Sequence, residues 1–149
     1  MRLAVSIGAG ALALVACAVA VVVLVGARLP VAHVASRSET FAVPRTKLWE
    51  LSLAAFGRGN DGSYAIVEQD APNRFVTEIT NKSLPFGGSW TYDLTDEGGG
   101  SRLTVVERGY VYNPVFRFIS RYVIGHTRSL DAYFAALAQS AGGKPGATT

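Results

Sequence analysis

Cysteine is nearly absent from this chain. Cys17 is the only one in 149 residues, so no intramolecular disulfide can form and cysteine usage does not reveal the redox compartment. Histidine is almost as scarce: His33 and His126, with one cysteine, make no ligand cluster of recognisable metal spacing, and no metal is expected. No G-x-S-x-G occurs and the lone cysteine lies in an apolar run, which leaves no organised nucleophile. The glycines at 98–100 match neither a phosphate-binding loop nor a dinucleotide fingerprint, so no cofactor is expected. A strong excess of one charge is also missing. The formal net charge is +3 and the basic residues are scattered among acids, which argues against nucleic acid as a partner.

What the chain does have is a run of residues 3–27, LAVSIGAGALALVACAVAVVVLVGA, without one charge. As a helix it reaches roughly 37 Å, against a hydrocarbon core of about 30 Å. Three readings follow. An uncleaved signal anchor accounts for the length, because cleavable signals have apolar regions of only about 7 to 15 residues. Leu14, Val15, Ala16 and Cys17 look like a bacterial lipobox, although Ala18 to Val25 stay apolar beyond it. Cleavage after Ala27 is the third. For Cys17 itself the plain alternative is a small apolar residue of a spanning helix. The expected location is therefore the cell membrane, single-pass. Arg28, Arg37, Arg45 and Lys47 after the span favour a C-terminal part inside the cell by count. The two-residue amino end resembles ordinary signal anchors and leans the domain to the extracytoplasmic side.

The chain divides into an anchor at 1–30, one domain at 31–141 and a tail at 142–149, whose composition offers nothing large enough to dock. His33 to Val43 reads as a strand. Pro44 opens a helix on which Leu48, Trp49, Leu51, Leu53, Ala54 and Phe56 bury one face, and GRGNDG at 57–62 ends it. Tyr64–Gln69 with Arg74–Asn81, and Ser89–Thr95 with Arg102–Tyr112, read as two hairpins, the second turning at the glycine run. From Pro114 onward, Phe116, Ile119, Val123, Thr127, Leu130, Phe134 and Leu137 share one face of a helix of about 25 residues. Arg117, Arg121 and Arg128 fall roughly opposite. Only the antiparallel sheet is large enough to cover the apolar side, so the fold class is α+β: a curved sheet gripping a long C-terminal helix.

This order of elements resembles the START-like, Bet v 1-like superfamily that includes polyketide cyclases and dehydrases, the helix-grip fold. AVPRTKLWEL (42–51), LPFGGSWTYDL (84–94), RLTVVERGYVYNPVFRF (102–118) and RYVIGHTRSLDAYFAAL (121–137) carry the resemblance. It spans most of 31–141 and none of the apolar run, and the chain is one or two strands shorter than the commonest members. The resemblance implies a cavity for an apolar ligand between sheet and helix. Residues available to line it are Phe116, Val123, Thr127, Leu130 and Phe134 on the helix, and Phe75, Trp90 and Tyr92 on strands. The same residues also read as plain core, since periodicity does not separate a filled interior from a hollow one. Trp90 and Tyr92 bring polar tips that need partners when buried, which favours them as pocket residues.

The superfamily's cyclases place acid–base side chains in the cavity, but no motif here carries those positions over. An enzyme would need at least one of His126, at the margin of the helix face, Glu78 and Glu107, alternating with apolar neighbours, or Tyr92 to face inward; a solvated rim is the default for His126 and an outward-facing strand position for the two acids. The arginine stripe reads as a solvated face or as a contact with anionic headgroups. Asn81-Lys82-Ser83 is a glycosylation triplet of a kind common by chance. Three functions stay open: a membrane-tethered binder of a hydrophobic or lipid-like small molecule, a cyclase- or dehydratase-like enzyme in the same cavity, and a non-catalytic interaction domain with a membrane-protein partner.

Overall fold

In the computed structural model, which describes residues 2–125 and 128–142, the apolar run forms helix α1, Arg2–Arg28. Its window Gly10–Arg28 has mean hydropathy 2.7 and only 6% of it is buried by the rest of the protein. Membrane anchors and signal sequences share that length and composition. Strand β1 (Ala32–Phe41), helix α2 (Arg45–Gly59), strands β2 (Tyr64–Asp70), β3 (Arg74–Ile79), β4 (Phe86–Glu97) and β5 (Gly100–Val111), and helices α3 (Pro114–Ile119) and α4 (Arg128–Ser140) follow. Pro44 caps α2 from an extended conformation and so stands just before the helix it was expected to begin.

The five strands form one antiparallel sheet in the order β1-β5-β4-β3-β2. The two long strands β4 and β5 are joined by Gly98 and Gly99, with φ of 53° and 86°. Two successive positive φ values match the right-handed twist of the hairpin, a geometry that costs glycine little. The glycine run is thus a turn. Arg102 closes it from the sheet side with two bonds of 2.5 Å to the Glu97 carboxylate.

Alternation decides which face is covered. Along β5, Ser101, Leu103, Val105, Glu107, Gly109 and Val111 are buried, while the residues between them are half-buried or exposed. On this concave face α2 and α4 lie side by side. Trp49 of α2 meets Phe75 edge to face at 5.4 Å, and Phe75 stacks on Tyr92 at 4.1 Å. Phe134 of α4 stacks on Phe41 at 6.5 Å and carries the Arg37 guanidinium 5.1 Å above its ring. Arg37 in turn pairs with buried Glu39 and with Asp131 in the first turn of α4, where a carboxylate suits the positive end of the helix.

The C-terminal helical segment departs from the expected single rod. After α3 the chain makes a π turn, Ser120–Ile124, and Gly125 leaves helical geometry at φ 81° and ψ 153° before α4 begins. Glycine reaches that conformation without the steric cost borne by other residues. The result is a division of labour within one apolar period. Leu130, Phe134 and Leu137 of α4 grip the sheet, whereas α3 packs against the end of α1.

Candidate functional site

Beneath α4 the sheet and α2 leave a cavity of about 180 Å³, walled by Ala55, Phe56, Asn60, Tyr64, Thr77, Trp90, Tyr92, Ser129, Leu130 and Tyr133 among others. It adjoins a groove of about 500 Å³ through three shared walls, Tyr64, Trp90 and Ser129. The cavity alone is below the roughly 300–1,000 Å³ typical of ligand sites; the adjoining groove lies within that range.

Its walls follow from strand register. Thr77 pairs with Trp90 and Phe75 with Tyr92 across β3 and β4, so the four alternate along one face in two adjacent rows. Trp90 meets Tyr64 at 5.4 Å, and Tyr92 meets Tyr133 at 5.4 Å. The Tyr133 hydroxyl donates to the Ser52 carbonyl at 3.1 Å and ties α4 to α2 across the cavity. Burial, followed by the Glu107 charge and Tyr64, pushes the Tyr92 hydroxyl up to about 12; burial also raises Tyr133. Both phenols are therefore neutral hydrogen-bonding groups at ordinary pH. Thr77 Oγ1 is buried in the wall with no hydrogen bond of full geometry, although it lies close enough to the Tyr92 hydroxyl to oppose the rise.

At the groove end the polar centre is Glu107, 7% exposed. Its Oε2 accepts from Ser129 Oγ of α4 at 2.8 Å, and His33 Nε2 of β1 lies 3.2 Å from Oε1. His33 stands opposite Gly109 in the ladder, one step diagonal from Glu107. A Cβ at position 109 would come within 2.2 Å of the imidazole, so the glycine makes room for the ring. Glu107 thus points inward, against the default for a strand carboxylate, because β1 and α4 each supply a partner that a surface site would not. Glu78 faces the other way, half exposed and 4.0 Å from Lys82.

Of the expected lining residues, Trp90, Tyr92 and Leu130 meet at the cavity, and Phe75 and Phe134 lie fully buried in the core beside it. Phe116 and Val123 stand apart, 47% and 70% exposed, because the break at Gly125 takes them off the helix that covers the sheet. Thr127 and His126 lie outside the described residues. Arg117 is half-buried at the end of α1 rather than on an open stripe, while Arg121 and Arg128 are exposed. Sequence reasoning missed Tyr64, Tyr133 and Ser129. Tyr133 escapes a single-stripe reading because α4 is covered on two sides, by the sheet and by α2. Among the described residues no group of three or more His, Cys, Asp or Glu side chains is arranged to hold a metal.

No family model and no curated protein matches the chain. Solved structures do. A norcoclaurine synthase point mutant from Thalictrum, in complex with a transition-state analogue, is 10% identical with a TM-score of 0.55, covering 74% of this chain and 94% of that one. Protein MLL2253 from Mesorhizobium loti is 12% identical with a TM-score of 0.53, covering 72% and 95%. A Rhizobium leguminosarum protein is 10% identical with a TM-score of 0.52, covering 72% and 95%. At these identities the likeness is one of fold, and that fold is the Bet v 1-like helix grip.

Proposed function

We propose that this chain is a membrane-tethered module that holds a hydrophobic or lipid-like small molecule between the sheet and α4. The observation that carries the reading is the aromatic-walled cavity under α4, which continues into the groove past Tyr64, Trp90 and Ser129. Apolar walls with a few convergent polar groups are what such a ligand needs. Tyr92 and Thr77 in the cavity and Glu107 in the groove supply the polar groups, and the exposed apolar helix α1 supplies the tether.

Native mass spectrometry on the full chain, gently released from its own membrane, tests this. A stoichiometric apolar adduct is expected, and it is expected to be lost in Ala132→Trp, which fills the groove from an exposed position of α4. An adduct-free wild-type protein would sink the reading.

One observation favours a second reading, a cyclase- or dehydratase-like enzyme. The inward Glu107 is held by groups from two other elements, as a positioned acid or base requires. Such an enzyme would exchange a proton of its bound molecule with solvent. Deuterium incorporation abolished by Glu107→Gln while the adduct is retained would support it, and equal incorporation in both proteins would remove it.

A further inference from the structure

The end of α1 is not free. Gly26 is buried there, and a Cβ on it would sit 1.9 Å from the Pro114 carbonyl oxygen, so α3 starts in direct contact with the last turn of the apolar helix. Arg117 Nη1 donates to the Leu29 carbonyl at 3.1 Å and fastens the next turn. Gly26 precedes the end of α1 by two residues, which is about 3 Å along the helix axis. If α1 crosses a bilayer, α3 starts within one helical turn of the point where the span leaves the hydrocarbon.

The exposed groups around that point have the chemistry of this depth. Phe116, Tyr122 and Val123 are 47%, 60% and 70% exposed, and Val31 at the start of the domain is 41% exposed. Arg28 and Arg121 stand beside them in solvent, and residues 108–125 contain no acid. Aromatic rings and arginines with apolar stems are favoured where acyl chains meet headgroups, and the positive charge complements anionic lipid. A hollow of about 370 Å³ between Leu29, His33, Val111, Arg117 and Ser120 opens at the same level, and it shares His33, Val111 and Ser120 with the groove described above.

We propose that residues 114–123 form a second membrane contact, seated in the headgroup–acyl boundary of the bilayer that α1 crosses. This rests on the reading of α1 as a membrane tether. It goes beyond a tether because it fixes the orientation of the domain: the hollow at the end of α1, and the groove it borders, lie at the level of the lipid headgroups.

The test uses the full chain with Cys17→Ala, reconstituted in vesicles of phosphatidylcholine and phosphatidylglycerol. Single labelling sites carry an environment-sensitive fluorophore: Tyr122→Cys for the contact, Leu14→Cys for the span and Lys47→Cys for the exposed face of α2. Lipids spin-labelled high or deep on the acyl chain act as quenchers. The expected pattern is about a twofold loss of Tyr122→Cys emission with the shallow quencher, loss at Leu14→Cys with the deep one, and no loss at Lys47→Cys. Quenching at Leu14→Cys with none at Tyr122→Cys overturns the second contact and leaves the tether standing. No quenching at either site overturns both.

Discussion

Phe116 and Phe134 occupy equivalent positions in the apolar period that begins at Pro114, yet the structure gives them opposite surroundings. Phe134 is fully buried, stacked on Phe41, edge to face with Tyr133 at 5.8 Å and under Arg37, while Phe116 is 47% exposed. Truncating a buried phenylalanine costs about 3–5 kcal/mol in lost transfer energy and residual cavity, and losing the arginine's ring contact adds about 0.5–1 kcal/mol. At about 4 °C per kcal/mol for a domain of this size, Phe134→Ala is expected to lower Tm by about 14–24 °C. Phe116→Ala, a change at a half-exposed site away from the core, is expected to move it by no more than about 2–4 °C. Near-ultraviolet circular dichroism during thermal unfolding of the full chain in one detergent compares the two. A fall for Phe116→Ala as large as that for Phe134→Ala would mean that a continuous helix covers the sheet, and the division at Gly125 would be refuted.

Two further outcomes concern the site and a third the contact between α1 and α3. Because burial raises the Tyr92 hydroxyl to about 12, the folded state holds its proton while the unfolded phenol loses it near 10. Stability is therefore expected to fall as pH rises from about 10 towards 12, and Tyr92→Phe is expected to flatten that fall in urea titrations; an unchanged slope would count against a buried phenol. Glu107→Ala removes the acceptor for Ser129 and the partner of His33, and is expected to cost about 1.5–3 kcal/mol by urea unfolding, with Glu107→Gln costing less. A neutral Glu107→Ala would place the carboxylate in solvent. Gly26→Leu forces a side chain into the Pro114 carbonyl and is expected to cost about 1–3 kcal/mol and speed hydrogen exchange across 114–124, leaving α4 protected. Unchanged exchange there would show that α1 and α3 do not pack.

The legible parts of this protein are those governed by neighbours in the chain. An uncharged run from 3 to 27 makes an apolar helix wherever it is put, alternation makes strands, and the glycines at 98–100 make a turn because few other residues take two positive φ values in succession. The ends of the C-terminal helical segment were readable for the same reason. Its interruption was not: Phe116, Ile119, Val123 and Leu130 continue one period across Gly125, and a period records which side is apolar without recording what covers it.

The candidate site shows the same boundary. Trp90 and Tyr92 stood out because a polar tip on a large apolar ring needs a partner, a property of the side chains themselves. The inward turn of Glu107 depends on β1, β5 and α4 meeting, with His33 separated from it by 74 residues and Ser129 by 22. The sequence by itself determined the apolar helix, the strands, the two hairpins and the α+β class, because local torsional preference and side-chain periodicity are short-range. Only the tertiary structure decided where the helical segment divides, which apolar face is core and which meets α1, and which acid faces the groove. Those outcomes rest on contacts between elements far apart in the chain, whose free energies no local pattern contains.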